Sequence, residues 1–551
     1  MPFKRSLILI FLLTVSLAQG QKSLYPPAGL LARIRPESLR AQMAYLSDDL
    51  LEGRKTGTRG YMLAAKYVAA QFEEMGLKPA GDNGAYFQKV RFRQIDLNRD
   101  KTTFTLKIDG HDQNLRFGDD FIAGGSDLSP DASVEAQTVF VGYGVTAPEF
   151  NYDDYTGADV KGKIVVALYG APGQFPTAPH AHYSSPTLKI ANAVSRGAVG
   201  FISIWGGKRA ERTPLARRAT YIHSRLRWLD ENNQPNDAQP SLQGSATISA
   251  DVAAKMFAGA PKSYKDAFAD AEAGKPQAFA LPATVSIHTL STHTEIESPN
   301  IVAILPGSDP KLKDEYVVFT AHLDHMGIGT PVNGDNIYNG AIDNASGSAA
   351  LLEIARALAA MPKAPRRSIL FLSVTGEEEG LLGSDAFAYH PTVPIHQIVA
   401  NVNMDEIGCF YDFADIVPQG ADHSTIGPIV EDVARRFNLQ ISPDPTPDEV
   451  YFVRSDQYSF VQKGVPAVAV DPGFKTVDPK LDGKKISEEW EEKYYHKPQD
   501  DMNQPYLNLN AATKMVRLDL AIGYEIAQQT ERPHWNKGDF FEKFAKAKDQ
   551  R

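Results

Sequence analysis

Apolar residues recur at three- and four-residue spacing over Pro36–Leu51 and again over Tyr61–Met75, and the second run stops at Gly76. That spacing predicts two amphipathic helices, with the glycine closing the second. Thr102–Ile108 alternates as a strand does, and Asp109-Gly110 supplies a turn. From about Val134 the rhythm shortens to strands over Thr138–Gly144 and Lys163–Tyr169, a helix over Pro186–Ser195 and a strand over Ala198–Ile204. A loop rich in Pro, Ala and His separates Gly170 from Ser185, and a polar stretch runs from Gly206 to Gln243. These features predict a separately packed insertion over roughly 130–290.

Beyond Asn300, near-continuous apolar strands alternate with helices. The strands are Tyr316–Ala321, Ser368–Val374, Ile398–Met404 and Ala467–Val470; the helices are Ala345–Met361, one after Gly380, and Thr425–Phe437. That alternation predicts an α/β sandwich with a largely parallel central sheet, whose ligands bind beyond the carboxyl ends of its strands.

Three successive strands deliver metal-binding residue types to that edge. Tyr316–Ala321 is followed by His322-Leu323-Asp324-His325, Ser368–Val374 by Gly376-Glu377-Glu378-Glu379, and Ile398–Met404 by Asp405-Glu406. Asp343 precedes a helix, and His496 lies beside Tyr495 on a late loop before Asp500. Taken alone, Asp343 reads as a helix cap and His496 as a loop residue. Taken together, His322, Asp343, Glu378, Asp405 and His496 make a nitrogen and oxygen set without sulfur, which suits zinc. Three carboxylates exceed what one divalent ion needs, so the expectation is two Zn2+ per chain with Asp343 between them. Asp324, two residues from His322, is expected to share its face and hydrogen-bond its imidazole. Adjacent Glu377 and Glu378 point apart, so one can bind metal while the other acts as general base.

Composition narrows the class. The 551 residues are 43% hydrophobic and 23% charged, which fits a globular chain with a large core. Met1–Gly20 carries Lys4 and Arg5, an apolar run from Leu7 to Leu17 and a small-x-small end, the pattern of a cleavable export signal. The apolar run is too short to span a bilayer. The formal net charge is −10, or −12 without Lys4 and Arg5, and there is no basic block; nucleic acid and anionic membrane are not expected partners. The lone cysteine, Cys409, excludes an internal disulfide and reads as a small buried apolar residue. His180, His182 and His223 lack carboxylate or cysteine neighbours at ligand spacing and are expected to be exposed loop residues.

The segments HLDH, GDNIYNGAIDNASGSAALLEIAR, TGEEEGLLGS, NVNMDEIG, RSDQYSF, GVPAVAV and YHKPQDD, in that order, resemble the di-zinc aminopeptidase family, metallopeptidase family 28. That family also holds glutamate carboxypeptidases, glutaminyl cyclases and the transferrin receptor. LSDDLLEGRKTGTRGYMLAAKYVAAQFEEMGLKPAG resembles its opening helices. VFVGYGVTAPEFNYDDYTGADVKGKIVVALYG and KIANAVSRGAVGFISIW resemble the protease-associated domain inserted in many members. The resemblance implies a three-layer zinc-exopeptidase fold divided into a leader (1–20), an N-terminal part of the peptidase domain (21–130), a protease-associated insertion (131–290) and a catalytic domain (291–551). It implies that His322 and Asp405 each belong to a different metal, with Asp343 bridging and Glu378 and His496 filling the remaining positions. Glu377 would be the base, Tyr495 would hold the tetrahedral intermediate, and the Asp343–Asn344 bond would be cis. Ile342 and Gln457 stand where an acidic residue and a histidine are frequent, which bears on substrate preference.

The implied activity is that of an exported, periplasmic or extracellular aminopeptidase acting on peptides, the partner of the insertion being unassigned. A carboxypeptidase or glutaminyl cyclase on the same scaffold, and a non-catalytic receptor-like module, are the alternatives. The receptor-like module would have lost metal ligands, and none is lost here. Arg454 can grip a substrate carboxylate or form a structural ion pair, whereas Glu377, Asp405, Glu406 and Asp456 favour an amine.

Overall fold

The computed structural model describes residues 24–220, 224–407 and 410–548. The leader, His223 and Cys409 lie outside the described residues. No helix among the described residues is long and apolar enough to cross a membrane.

Four strands form the parallel centre of the main sheet. Tyr316–His322 lies between Ser368–Val374 and Ile398–Asn403, and Ile398–Asn403 in turn pairs with Ala467–Pro472. Ser368–Val374 and Ile398–Asn403 are buried at every position, so both faces must be apolar, which explains their unbroken runs. Pro36–Leu46, Arg59–Glu74, Gly347–Ala359 and Leu509–Gln528 share one core with Phe319 and Phe371 on one face of the sheet. Phe387 and Phe460 pack with Val318 and Leu370 on the other face. The result is three layers.

The sheet is mixed rather than largely parallel. Ala278–Leu305 runs antiparallel to Ser368–Val374 on one side, and Asp415–Gln419 runs antiparallel to Ala467–Pro472 on the other. Strand–helix alternation reports only the crossover units, so these flanking strands leave no trace in it. Ala278–Leu305 is 28 residues long and serves two sheets. Its first half pairs with Thr103–Ile108 and Asp131–Val141; its second half pairs with Phe87–Leu97 before reaching the centre.

The second sheet continues through Ile164–Leu168, Gly200–Trp205 and Gly244–Ser249 and has its own core around Phe104, Phe140, Ile202 and Val285. Its strands therefore begin at Thr103. Within the polar stretch, Ser224–Trp228 leaves this core, joins the main sheet against Phe87–Leu97 and buries Leu226 and Trp228 with Leu382. The loop read between Gly170 and Ser185 contains a helix, Thr177–Tyr183, so His180 and His182 are helical. His182 is half-buried, with Nδ1 2.7 Å from the Tyr458 hydroxyl.

The first predicted helix ends at Leu46 instead of Leu51. Asp48 accepts a hydrogen bond from the Leu50 N–H at 2.9 Å and starts a separate turn, Asp49–Arg54. The second spans Arg59–Glu74, capped by Thr58 and followed by Gly76 at φ +70°, as its pattern predicts.

Candidate metal centre

His322 is the last residue of its strand, Glu377 and Glu378 follow Val374, and Asp405 follows Asn403 by two residues, so three neighbouring strands aim donors at one cleft. Asp343 enters from the turn Ala341–Ser346, and His496 from beyond the helix Gly483–Lys493. The turn starts at Gly340, φ +59°, where an added Cβ would stand 2.1 Å from the Asp343 carbonyl oxygen; only glycine fits. The Asp343–Asn344 bond is cis.

The two carboxylate oxygens of Asp343 face different neighbours. Oδ1 lies 3.3 Å from His322 Nε2, which is 2.9 Å from Asp405 Oδ1. Oδ2 lies 3.1 Å from His496 Nε2, which is 3.2 Å from Glu378 Oε2. His325, which the sequence reading did not select, places Nδ1 2.6 Å from Glu378 Oε1 and 3.8 Å from Asp343 Oδ2. Among the described residues, two candidate metal-binding groups therefore share Asp343: His322, Asp343 and Asp405, and His325, Asp343 and Glu378, each with donor atoms within 4.8 Å of one another. His322 and Asp405 thus stand in one group and not, as the resemblance implies, at different metals, because the ends of their neighbouring strands bring His322 Nε2 to 2.9 Å from Asp405 Oδ1.

The donor set fits zinc, being nitrogen and oxygen in two compact groups. The charge around it fits as well. Asp324, Asp343, Asp456 and Asp500 are buried in or beside the cleft, and burial pushes the Glu377 and Glu406 carboxyls well above the ordinary range, with neighbouring carboxylates adding to the shift. So much buried negative charge calls for cations.

The surrounding hydrogen bonds orient the donors. Ser455 Oγ donates to Asp405 Oδ2 at 2.7 Å and accepts from Asn403 Nδ2 at 3.0 Å. Asp500 accepts from the main-chain N–H groups of Ile342 and Asp343, each at 3.0 Å, fixing the turn that carries Asp343. Gln457, at the position where the resemblance leads one to expect histidine, accepts from Asn403 at 2.8 Å and donates to the Phe452 carbonyl at 3.0 Å.

Asp324 departs from expectation. The strand ends at His322, so the same-face rule no longer applies two residues later. His322 Nδ1 faces the Asp324 carbonyl oxygen at 3.1 Å, while the Asp324 carboxylate accepts from Thr56 Oγ1 and the Glu377 N–H at 3.1 and 3.2 Å. Asp324 thus holds the turn bearing Glu377 and Glu378, not the imidazole.

Arg54 was also unforeseen. Its fully buried guanidinium donates to the carbonyls of Leu323, Asn339 and Gly340 at 2.9, 2.6 and 3.0 Å and to that of Leu46. It joins the loop after His322 to the turn before Asp343. Burial lowers its pKa to about 10, with Asp343, Asp500, Asp324 and Glu378 opposing the shift.

Tyr495 lines the cleft and stacks on His496 with ring centroids 3.9 Å apart. Arg454 also lines it, half-exposed and 3.3 Å from Glu449. Asp456 is fully buried, adds to the upward shift of the Glu377 carboxyl, and is not among the residues that line the cleft.

Residues 300–522 match the family model described as Peptidase family M28, and this part of the chain carries M28 peptidase homology. The chain is 35% identical over 125 residues to Aminopeptidase NAALADL1 of Mus musculus, which covers 21% of this chain and 15% of that protein. It is 28% identical over 284 residues to Probable glutamate carboxypeptidase VP8 of Zea mays, covering 50% of this chain and 37% of that one. The chain thus spans less than two fifths of the length of either relative. The solved structure of the aminopeptidase from Aneurinibacillus sp. strain AM-1 superposes with a TM-score of 0.52 at 18% identity, over 92% of this chain and 96% of that one, and shows the same fold.

Proposed function

We propose that this chain is an exported zinc aminopeptidase that removes N-terminal residues from peptides. The observation that carries the reading is the shared carboxylate: Asp343 presents one oxygen to His322 and the other to His496, with Asp405 and Glu378 completing the two sides. In this reading His322 and Asp405 would hold one zinc and Glu378 and His496 the other, with Asp343 shared between the two. Bound zinc supplies Lewis acidity, lowering the pKa of water and polarising a peptide carbonyl.

The protein groups supply the rest. Glu377, held by Asp324 through its main-chain N–H, takes the proton of the attacking water and returns it to the leaving amine. The Tyr495 hydroxyl donates to the oxyanion that develops on the scissile carbonyl. Glu406 and its neighbouring carboxylates receive the substrate's free ammonium, and His325 orients Glu378 from the side away from the substrate. The pattern of Met1–Gly20, that of an export signal, supports a site of action outside the cytoplasm.

The test is hydrolysis of a leucine p-nitroanilide beside its N-acetylated counterpart by the zinc-loaded protein. Cleavage of the free amine alone supports the reading. Tolerance of acetylation, with loss of peptide cleavage on C-terminal amidation, replaces it by a carboxypeptidase anchored on Arg454.

A further inference from the structure

A cavity of about 230 Å³ opens beside the metal centre and shares Asp405, Glu406, Tyr451 and Ser455 with the cleft. It is smaller than the roughly 300–1,000 Å³ of a drug-sized ligand site, a size suited to one side chain and not to a peptide. Phe410, Val417, Val470 and Phe474 give it apolar walls. Asp444 and Asp471, both half-buried, line it as well, with Glu488 and Glu491 exposed on the rim helix, and among the described residues no lysine, arginine or histidine lines it.

We propose that this chamber receives the side chain of the substrate's N-terminal residue and that Asp471, with Asp444, selects lysine or arginine there. The proposal rests on the aminopeptidase reading above. Two independent features converge on that chemical class. The apolar walls suit a long aliphatic stem, and the carboxylates that line the chamber with them suit a cationic head; lysine and arginine combine the two. Asp471 lies on the strand that pairs with Asn403 and its neighbours, opposite Val417, so its position is fixed by the sheet.

Asp471 is also short of compensating charge. Its side chain takes a hydrogen bond from Gln419, and burial together with Asp405 and Asp444 pushes its pKa up to about 7. Asp519, buried behind it, is a further carboxylate and not a counter-ion. An arriving ammonium or guanidinium supplies the missing partner. An apolar side chain of equal length fills the walls but leaves the carboxylates unpaired, and an acidic one meets like charge.

The decisive comparison is lysine against norleucine, which keeps the stem and lacks the ammonium. With amino acid p-nitroanilides and the zinc-loaded full chain, kcat/KM for lysine should exceed that for norleucine by about 10- to 100-fold, the range for a hydrogen-bonded charge pair. Asp471→Asn should remove most of that ratio while leaving norleucine turnover in place, and Asp444→Asn should reduce it less. Equal rates for lysine and norleucine on the wild-type protein overturn the proposal without touching the aminopeptidase reading. So does an Asp471→Asn variant that loses both substrates equally. If no free-amine anilide is cleaved, the aminopeptidase reading fails and this proposal falls with it. The wild-type ratio needs no variant to fold.

Discussion

Replacing Arg54 by lysine separates geometry from charge at the base of the metal centre. The guanidinium serves four carbonyls, those of Leu46, Leu323, Asn339 and Gly340, from three nitrogens spread across a planar fork. An ammonium keeps the positive charge among Asp343, Asp500, Asp324 and Glu378 but donates from a single point and leaves about two carbonyls without a donor. Each buried unmet group costs about 1–3 kcal/mol, so the variant should lose about 3 kcal/mol of stability. Leu323 follows His322 directly, and Gly340 opens the turn that carries Asp343, so both metal-binding segments loosen together. Loss of an outer support typically costs about 10- to 100-fold in metal affinity. Zinc competition against a chelator, read beside the melting temperature of the metal-free protein, measures both effects. Arg54→Met removes the charge as well, which by Coulomb's law favours a divalent cation and offsets part of the geometric loss. Wild-type zinc affinity and melting temperature in Arg54→Lys would refute the clamp.

Glu377→Gln should retain metal and fold while losing about two to four orders of magnitude in turnover, because an amide cannot accept the proton of the attacking water. Glu378→Gln should instead lose metal, measured by elemental analysis; the opposite pair of phenotypes would reverse the two assignments. At His182, burial lowers the imidazole pKa to about 4, with Lys543 adding to the shift and Glu149 opposing it. The unfolded chain binds this proton near pH 6.5 and the folded chain does not, so the contribution to stability is complete above pH 6.5 and declines as pH falls toward 4. The loss is about 3 kcal/mol at most. Melting temperatures at pH 7 and pH 4.5 should fall less for His182→Gln than for the wild type; parallel falls would show that His182 does not contribute.

The parts of the fold that can be read from sequence are those whose burial leaves a local pattern. Ser368–Val374 and Ile398–Asn403 are buried on both faces and read as unbroken apolar runs. Ala278–Leu305 alternates between faces, contains Pro282 and Pro299, and changes partner midway, so its role in two sheets depends on distant strands. The same distinction holds at the site. His322, Glu378 and Asp405 stand at strand ends where the sheet rule directs attention. Arg54 contacts carbonyls near residues 46, 323 and 339, and nothing around Gly53-Arg54 reports that convergence. His325 was within reach, because HLDH carries a second histidine three residues after the first. Asp324 differs from its expected role because the strand ends at His322, two residues before it, and the extended alternation does not reach it.

The most direct test of the account is the number of zinc ions bound per chain and its dependence on Asp343. Elemental analysis after zinc reconstitution and removal of free metal should give about two equivalents for the wild type, near zero for Asp343→Ala, and an intermediate value for His496→Ala, because a bridging carboxylate serves both ions whereas the histidine serves one. A single equivalent in the wild-type protein, or equal occupancy in the two variants, would contradict a two-metal centre organised by Asp343.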